Sequence, residues 1–197
     1  MQNNKIQQIH EQACVAISSA LGKLTGKHAV VDIVKPHIKN VRELHLTFNS
    51  DDNGTAVCLP VSGEVKGMAL LLLSAQTGFT LADLLIKKEP GTTRELDELD
   101  KSALQELGNI ICGTYFTTFA NQSFVKVIEH APEIKFGRLG TLLEETVANF
   151  TRKTGRELAL EVQFNFSIMA DKNYCFESYF VVLFETLQLQ AISDSLK

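Results

Sequence analysis

The chain has no basic cluster, no long apolar run and no metal-binding spacing of cysteine or histidine, and each absence removes a class of function. Its 19 Lys+Arg are outnumbered by 23 Asp+Glu, for a net charge of −4. The short basic steps, such as Lys87-Lys88, are isolated. Nothing neutralises a phosphate backbone, so a general nucleic-acid binder is excluded. The strongly apolar runs at 68–73 and 180–184 fall far short of the ~20 residues that span a bilayer. The opening MQNNKIQQIHEQ lacks the apolar stretch of a secretion signal, so no membrane association is expected and the expected location is cytoplasmic. The cysteines, at 14, 58, 112 and 175, form no C-x-x-C, and the histidines, at 10, 28, 37, 45 and 130, form no H-x-x-x-H. Free buried thiols and no intrinsic metal or cofactor are expected.

What is present is an apolar content of 45% over 197 residues, enough for one domain, 1–197, with a sizeable core. Ile6, Ile9, Ala13, Ile17, Leu21 and Leu24 recur at helical spacing and predict a helix over 4–24 that Gly26 stops. Extended segments are expected at 28–34, 41–48, 55–61 and 65–73, with a turn at 50–54, a short helix at 80–87 and a loop from 88. A long helix follows at 96–121. Further strands are expected at 124–130, 158–169 and 175–184, with a turn at 171–173 and helices at 139–152 and 186–196.

The pattern repeats itself. Residues 68–85 and 179–196 superimpose at a constant offset of 111 (196 − 85), which predicts two halves of approximately 1–90 and 91–197. Antiparallel strands joined by short turns, with long helices segregated from them, give an α+β fold: a pseudo-two-fold layer structure with two long helices on one sheet. A sheet edge in such a fold offers a place for two copies to pair, so monomer and homodimer are both left open.

The long helix carries one polar stripe. Ser102, Glu106 and Asn109 fall within a narrow face at ~100° per residue, while Leu99, Leu104, Leu107, Ile110, Ile111, Phe116 and Phe119 supply a broad apolar face. The pattern Ser102-Ala-Leu-Gln-Glu106-Leu-Gly-Asn109, followed by Gly113-Thr-Tyr115, resembles the signature of the CheC/CheX family of chemotaxis phosphatases. The resemblance extends along nearly the whole chain, including Gly63-Glu-Val-Lys-Gly67 before the apolar strand.

The resemblance implies a phosphatase acting on the phospho-aspartate of a CheY-like response regulator, whose own magnesium ion and lysine complete the site. Asn109 would orient the attacking water, because an amide both accepts and donates without adding charge. Glu106 would pair with the regulator's lysine. Ser102 reads as a rim contact, Gly108 and Gly113 as positions of close approach by another backbone, and Ser102 and Gly113 as partner-binding positions. Aligning the halves at an offset of 98 (106 − 8) puts Gln8 and Glu11 where Glu and Asn belong. Gln8 lacks the charge, Glu11 would repel a phosphoryl group, and His10 adds bulk in place of a glycine, so the first site reads as degenerate. Asp83 and Asp194 read as surface or capping groups. The same helix also suits a non-enzymatic module that binds a response regulator or another signalling protein, and a protein of the flagellar switch is a further reading.

Overall fold

The structure, a computed structural model, describes residues 2–40, 43–44, 49–154, 158–169 and 173–184. Helix α1 (Gln2–Thr25) leads into strands β1 (His28–Asn40), β2 (Asn53–Gly63) and β3 (Gly67–Ser74) and helix α2 (Ala75–Leu85). Then come α3 (Glu98–Ser123), β4 (Val127–Glu129), β5 (Glu133–Arg138), α4 (Leu139–Thr154), β6 (Leu158–Met169) and β7 (Asn173–Phe184). The strands form one antiparallel sheet in the order β1-β6-β7-β3-β2-β4, with β5 also on β2. This is the expected α+β fold.

The centre of the sheet carries the repeat. Strands β3 and β7 are adjacent, and Leu70 lies opposite Val181, its own equivalent at the offset of 111 (181 − 70). A local two-fold axis through that pair exchanges β2 with β6, and β1 with β4 and β5. Each half therefore lends its first strand to the other: β1 pairs with β6, and β4 and β5 pair with β2. Both outer strands are interrupted near a proline. β1 shifts register between Val34 and His37, around Pro36, and the β4–β5 break holds Pro132. A residue without an N–H cannot donate to a ladder.

Antiparallel sheets commonly leave one face to water, but this one is covered on both. Alternation along β2, β3 and β7 sends Val57, Leu59, Leu71, Leu73, Phe180 and Val182 towards α1, α2 and α3. It sends Ala56, Cys58, Leu70, Leu72, Tyr179 and Val181 to the other side, against Leu139, Leu142, Leu143 and Phe150 of α4. The unbroken apolar run of β3 follows from that double burial, with Ala69–Leu73 all at 0% exposure.

Several boundaries differ from expectation. α2 begins five residues before the expected start at 80, because Ser74 caps it by accepting from the Thr77 backbone N–H. The strand expected at 124–130 shrinks to three residues: Phe124, at φ 56, is the left-handed C-cap of α3 and points into solvent. Strand β5 had no sequence counterpart, since its half-exposed EIKFGR shows little contrast between faces. Most of the strand expected at 41–48, the turn residues 171–172 and the helix expected at 186–196, with Asp194, lie outside the described residues. Asp83 is no surface group. It is fully buried and accepts from the backbone N–H groups of Gly91 (2.8 Å) and Thr92 (2.9 Å) and from the Thr93 hydroxyl (2.6 Å). Burial works to raise its pKa, but the hydrogen bonds from Thr93, Gly91 and Thr92 outweigh it and hold the carboxyl below its usual range. The loop into α3 is thereby fixed at its root.

α1 and α3 pack side by side over Tyr115, which stacks on His10 at 5.5 Å and meets Phe180 of β7 edge-on at 5.1 Å. His10 is 1% exposed, and neither ring nitrogen has a hydrogen-bond partner among the described residues. It thus faces the interior and not an approaching partner, contrary to the sequence reading. Burial pushes its pKa from 6.5 down to about 4. Between those values the unfolded chain binds a proton that the folded chain refuses, so stability is complete above pH 6.5 and falls as pH drops towards 4. We predict that denaturant unfolding at pH 7.5 and pH 4.5 will show the wild type losing about 2–3 kcal/mol more than His10→Phe over that interval. Equal losses would exclude His10 as the source.

Candidate functional site

The phase of α3 is set at its first turn. Asp97 caps the helix by accepting from the Asp100 backbone N–H at 2.8 Å, and Asp100 accepts from the Asp97 N–H at 3.1 Å, which closes a reciprocal capping box. Asp100 is 1% exposed and also accepts from Lys88 Nζ at 3.0 Å. That hydrogen bond is the first cause of the raised Lys88 pKa. Gln105 Nε2 donates to the Pro132 carbonyl at 2.8 Å, and Lys101 sits over the Phe136 ring at 5.6 Å, so β5 braces the other flank.

These contacts turn one face of α3 outwards. Ser102 and Glu106 are exposed and Asn109 and Gly113 half-exposed, whereas Leu104, Leu107, Gly108, Ile111 and Cys112 are buried. The structure therefore brings the four predicted positions onto one accessible stripe. Leu99 departs from expectation. It is 62% exposed and extends the stripe by one turn instead of joining the core. On α1, Gln8 and Glu11 are likewise exposed.

The two glycines do different things. A Cβ on Gly108 would lie 2.5 Å from Val57 Cγ1 and 2.7 Å from Val57 Cβ, so its close neighbour is this protein's own β2, not a partner. A Cβ on Gly113 would lie 2.8 Å from Glu129 Oε2 of β4. Sequence reading missed Glu129, because only β4's pairing with Val61–Gly63 carries that side chain to the helix.

One antiparallel sheet, two long helices side by side on it and an outward acid–amide pair on the second define a duplicated helix-on-sheet protein. Residues 99–132, which hold the whole stripe and Glu129, match the model of the CheC-like family. The CheY-P phosphatase CheC of Bacillus subtilis (strain 168) is 24% identical over 131 residues, 65% of this chain and 63% of that protein. The chain thus spans less than two thirds of the length of that curated relative. FliY of Thermotoga maritima has the same fold at a TM-score of 0.77 and 16% identity, covering 99% of this chain and 95% of that one. CheX of Borrelia burgdorferi, solved as a CheX-CheY-BeF3-Mg+2 complex, matches at a TM-score of 0.55 and 20% identity over 89% of this chain and 96% of that one. The chain is therefore similar to CheC-like proteins over its second long helix and shares the fold of FliY and CheX.

The glycine geometry makes a stability prediction. Gly108→Ala forces a rigid Cβ into Val57, an overpacking cost of about 1–3 kcal/mol that exceeds the gain of up to ~1 kcal/mol from helix propensity. The variant is expected to unfold at lower denaturant than wild type; an unchanged or higher midpoint would show that β2 yields.

Proposed function

We propose that the protein is an aspartyl-phosphate phosphatase of a CheY-like response regulator, working through Glu106 and Asn109. The observation that carries this reading is the outward Ser102–Glu106–Asn109 stripe lying inside the segment that matches the CheC-like family. On this reading the chain is one cytoplasmic domain, 1–197, that holds no metal of its own; magnesium belongs to the phosphorylated regulator.

Hydrolysis of an acyl phosphate needs a water in line with phosphorus, and such transfers gain mainly from positioning and electrostatics. Asn109, half-exposed on a helix packed against the sheet, supplies an amide that holds that water without repelling the phosphoryl oxygens. Glu106, on the next turn, pairs with the regulator's lysine and sets the register of docking. Ser102 touches the rim. Gln8 and Glu11, exposed on α1, lack the acid–amide order and contribute no turnover.

A second reading, a binding module without turnover, draws on that same loss of acid–amide order in α1. Accelerated decay of phosphorylated regulator at substoichiometric protein separates the two, since binding alone gives none. Asn109→Ala is expected to lower the rate at saturation with half-saturation nearly kept, as for an interaction made in the transition state, and to change stability by no more than about 0.5 kcal/mol. Glu106→Gln is expected to raise half-saturation by the loss of about 1.5–3 kcal/mol of charge-assisted bonding, less so at high salt. Full turnover by Asn109→Ala would remove the amide from the mechanism.

A further inference from the structure

The carboxylate of Glu129 reaches the partner-facing stripe from a neighbouring strand. Its Oε2 lies 2.8 Å from the place a Gly113 side chain would start, and Gly113 is one helical turn past Asn109. Positions four apart on a helix have Cβ atoms about 5–6 Å apart, so Glu129 stands beside Asn109 on the side away from Glu106. The missing side chain at 113 is what lets it in.

The backbone of Glu129 is held in the ladder opposite Val61, while its carboxylate has no hydrogen-bond or ion-pair partner among the described residues. The neighbouring helix raises its pKa through desolvation, and no cation is among the causes. Glu129 is exposed, so its carboxylate is open to an incoming positive charge and can form a charge-assisted hydrogen bond with it.

We propose that Glu129 is a second docking carboxylate, which takes a basic side chain of the phosphorylated regulator on the far side of the phosphoryl group from the lysine held by Glu106. This rests on the phosphatase reading above and adds a specificity rule to it. Seven residues separate 106 from 113, a rise of about 10.5 Å. Suitable regulators therefore carry two cationic groups about that far apart, flanking the phospho-aspartate, and regulators without the second are poor substrates. Glu129 acts on association and not on the attacking water.

The test uses the full chain with a phosphorylated CheY-like regulator for turnover, and the same regulator carrying beryllofluoride and magnesium for binding. Glu129→Gln is expected to raise both half-saturation and the dissociation constant about tenfold at low salt, with the saturated rate kept, and the defect shrinks as salt rises. Gly113→Ala, made alone and together with Glu129→Gln, gives the second comparison: if its effect runs through Glu129, the double variant docks no worse than Glu129→Gln. The alanine Cβ displaces only the free end of Glu129 while improving helix propensity, so thermal stability is kept or raised while docking falls as in Glu129→Gln. A merely structural Glu129 predicts the reverse pairing. Wild-type turnover with unchanged half-saturation in Glu129→Gln, or a lowered saturated rate alone, overturns the docking role and leaves the phosphatase reading standing. A wild type that neither accelerates decay nor binds the beryllofluoride form overturns both.

Discussion

The pairing of β3 with β7 is the constraint on which the other elements depend. It sits at the middle of the sheet, is dry on both faces, and places each half's most apolar strand against its own copy. Because the outer strands are exchanged, β1 onto β6 and β4–β5 onto β2, neither half can complete its sheet alone. Folding is thereby tied to the whole sequence. The helix-bearing face follows from it: α1 and α3, related by the same axis, meet over Tyr115, whose ring rests on Phe180 one residue from the axis pair.

That arrangement makes α3 a rigid presenter of side chains. Its first turn is closed by the Asp97–Asp100 box and Lys88, its approach is held by Asp83, and its middle is pressed on β2 at Gly108. On the proposed reading this rigidity matters, because an amide that orients a water acts only where its geometry is fixed and small displacements cost heavily in rate. The strand exchange adds a second consequence. β4 belongs to the same half as α3 but pairs with β2 of the other, and this pairing lifts Glu129 against the helix. A side chain 20 residues after Asn109 thus joins its face through the topology of the sheet.

Legibility in the sequence followed the strength of local patterns. α1, α4 and β6 have sharp periodicity or clear flanking breaks, and their positions read out to within about two residues, the usual error of helix and strand ends. The apolar run at 68–73, read with its copy at 179–184, disclosed the duplication because double burial leaves no alternation to blur the match. β5 was invisible because its residues are half-exposed on both faces, and Asp83 was misread because a buried carboxylate looks in sequence like any surface acid. Of the stripe, Ser102, Glu106 and Asn109 were legible from helical phase alone. Leu99 was not: a periodic count makes any leucine on the helix a core residue, and only the outward turn of the first turn of α3 shows otherwise. Gly108 and Gly113 look alike in sequence and differ only in what stands over them.

The two halves show how duplication separates support from chemistry. At the offset of 98, Gln8, His10, Glu11 and Val15 occupy the places of Glu106, Gly108, Asn109 and Gly113 (113 − 15). His10 is drawn into the interior as a stacking partner for Tyr115, so α1 adds to the packing beneath α3 at the cost of a buried imidazole with no hydrogen-bond partner among the described residues. Val15, 72% exposed, stands on α1 where Gly113 stands on α3. The alignment therefore replaces the acid, the amide and the glycine together, while the packing of the helix on the sheet is kept. On the proposed reading, the difference between the halves reaches the whole outward face of α1 and not a single residue, since four positions along it change together.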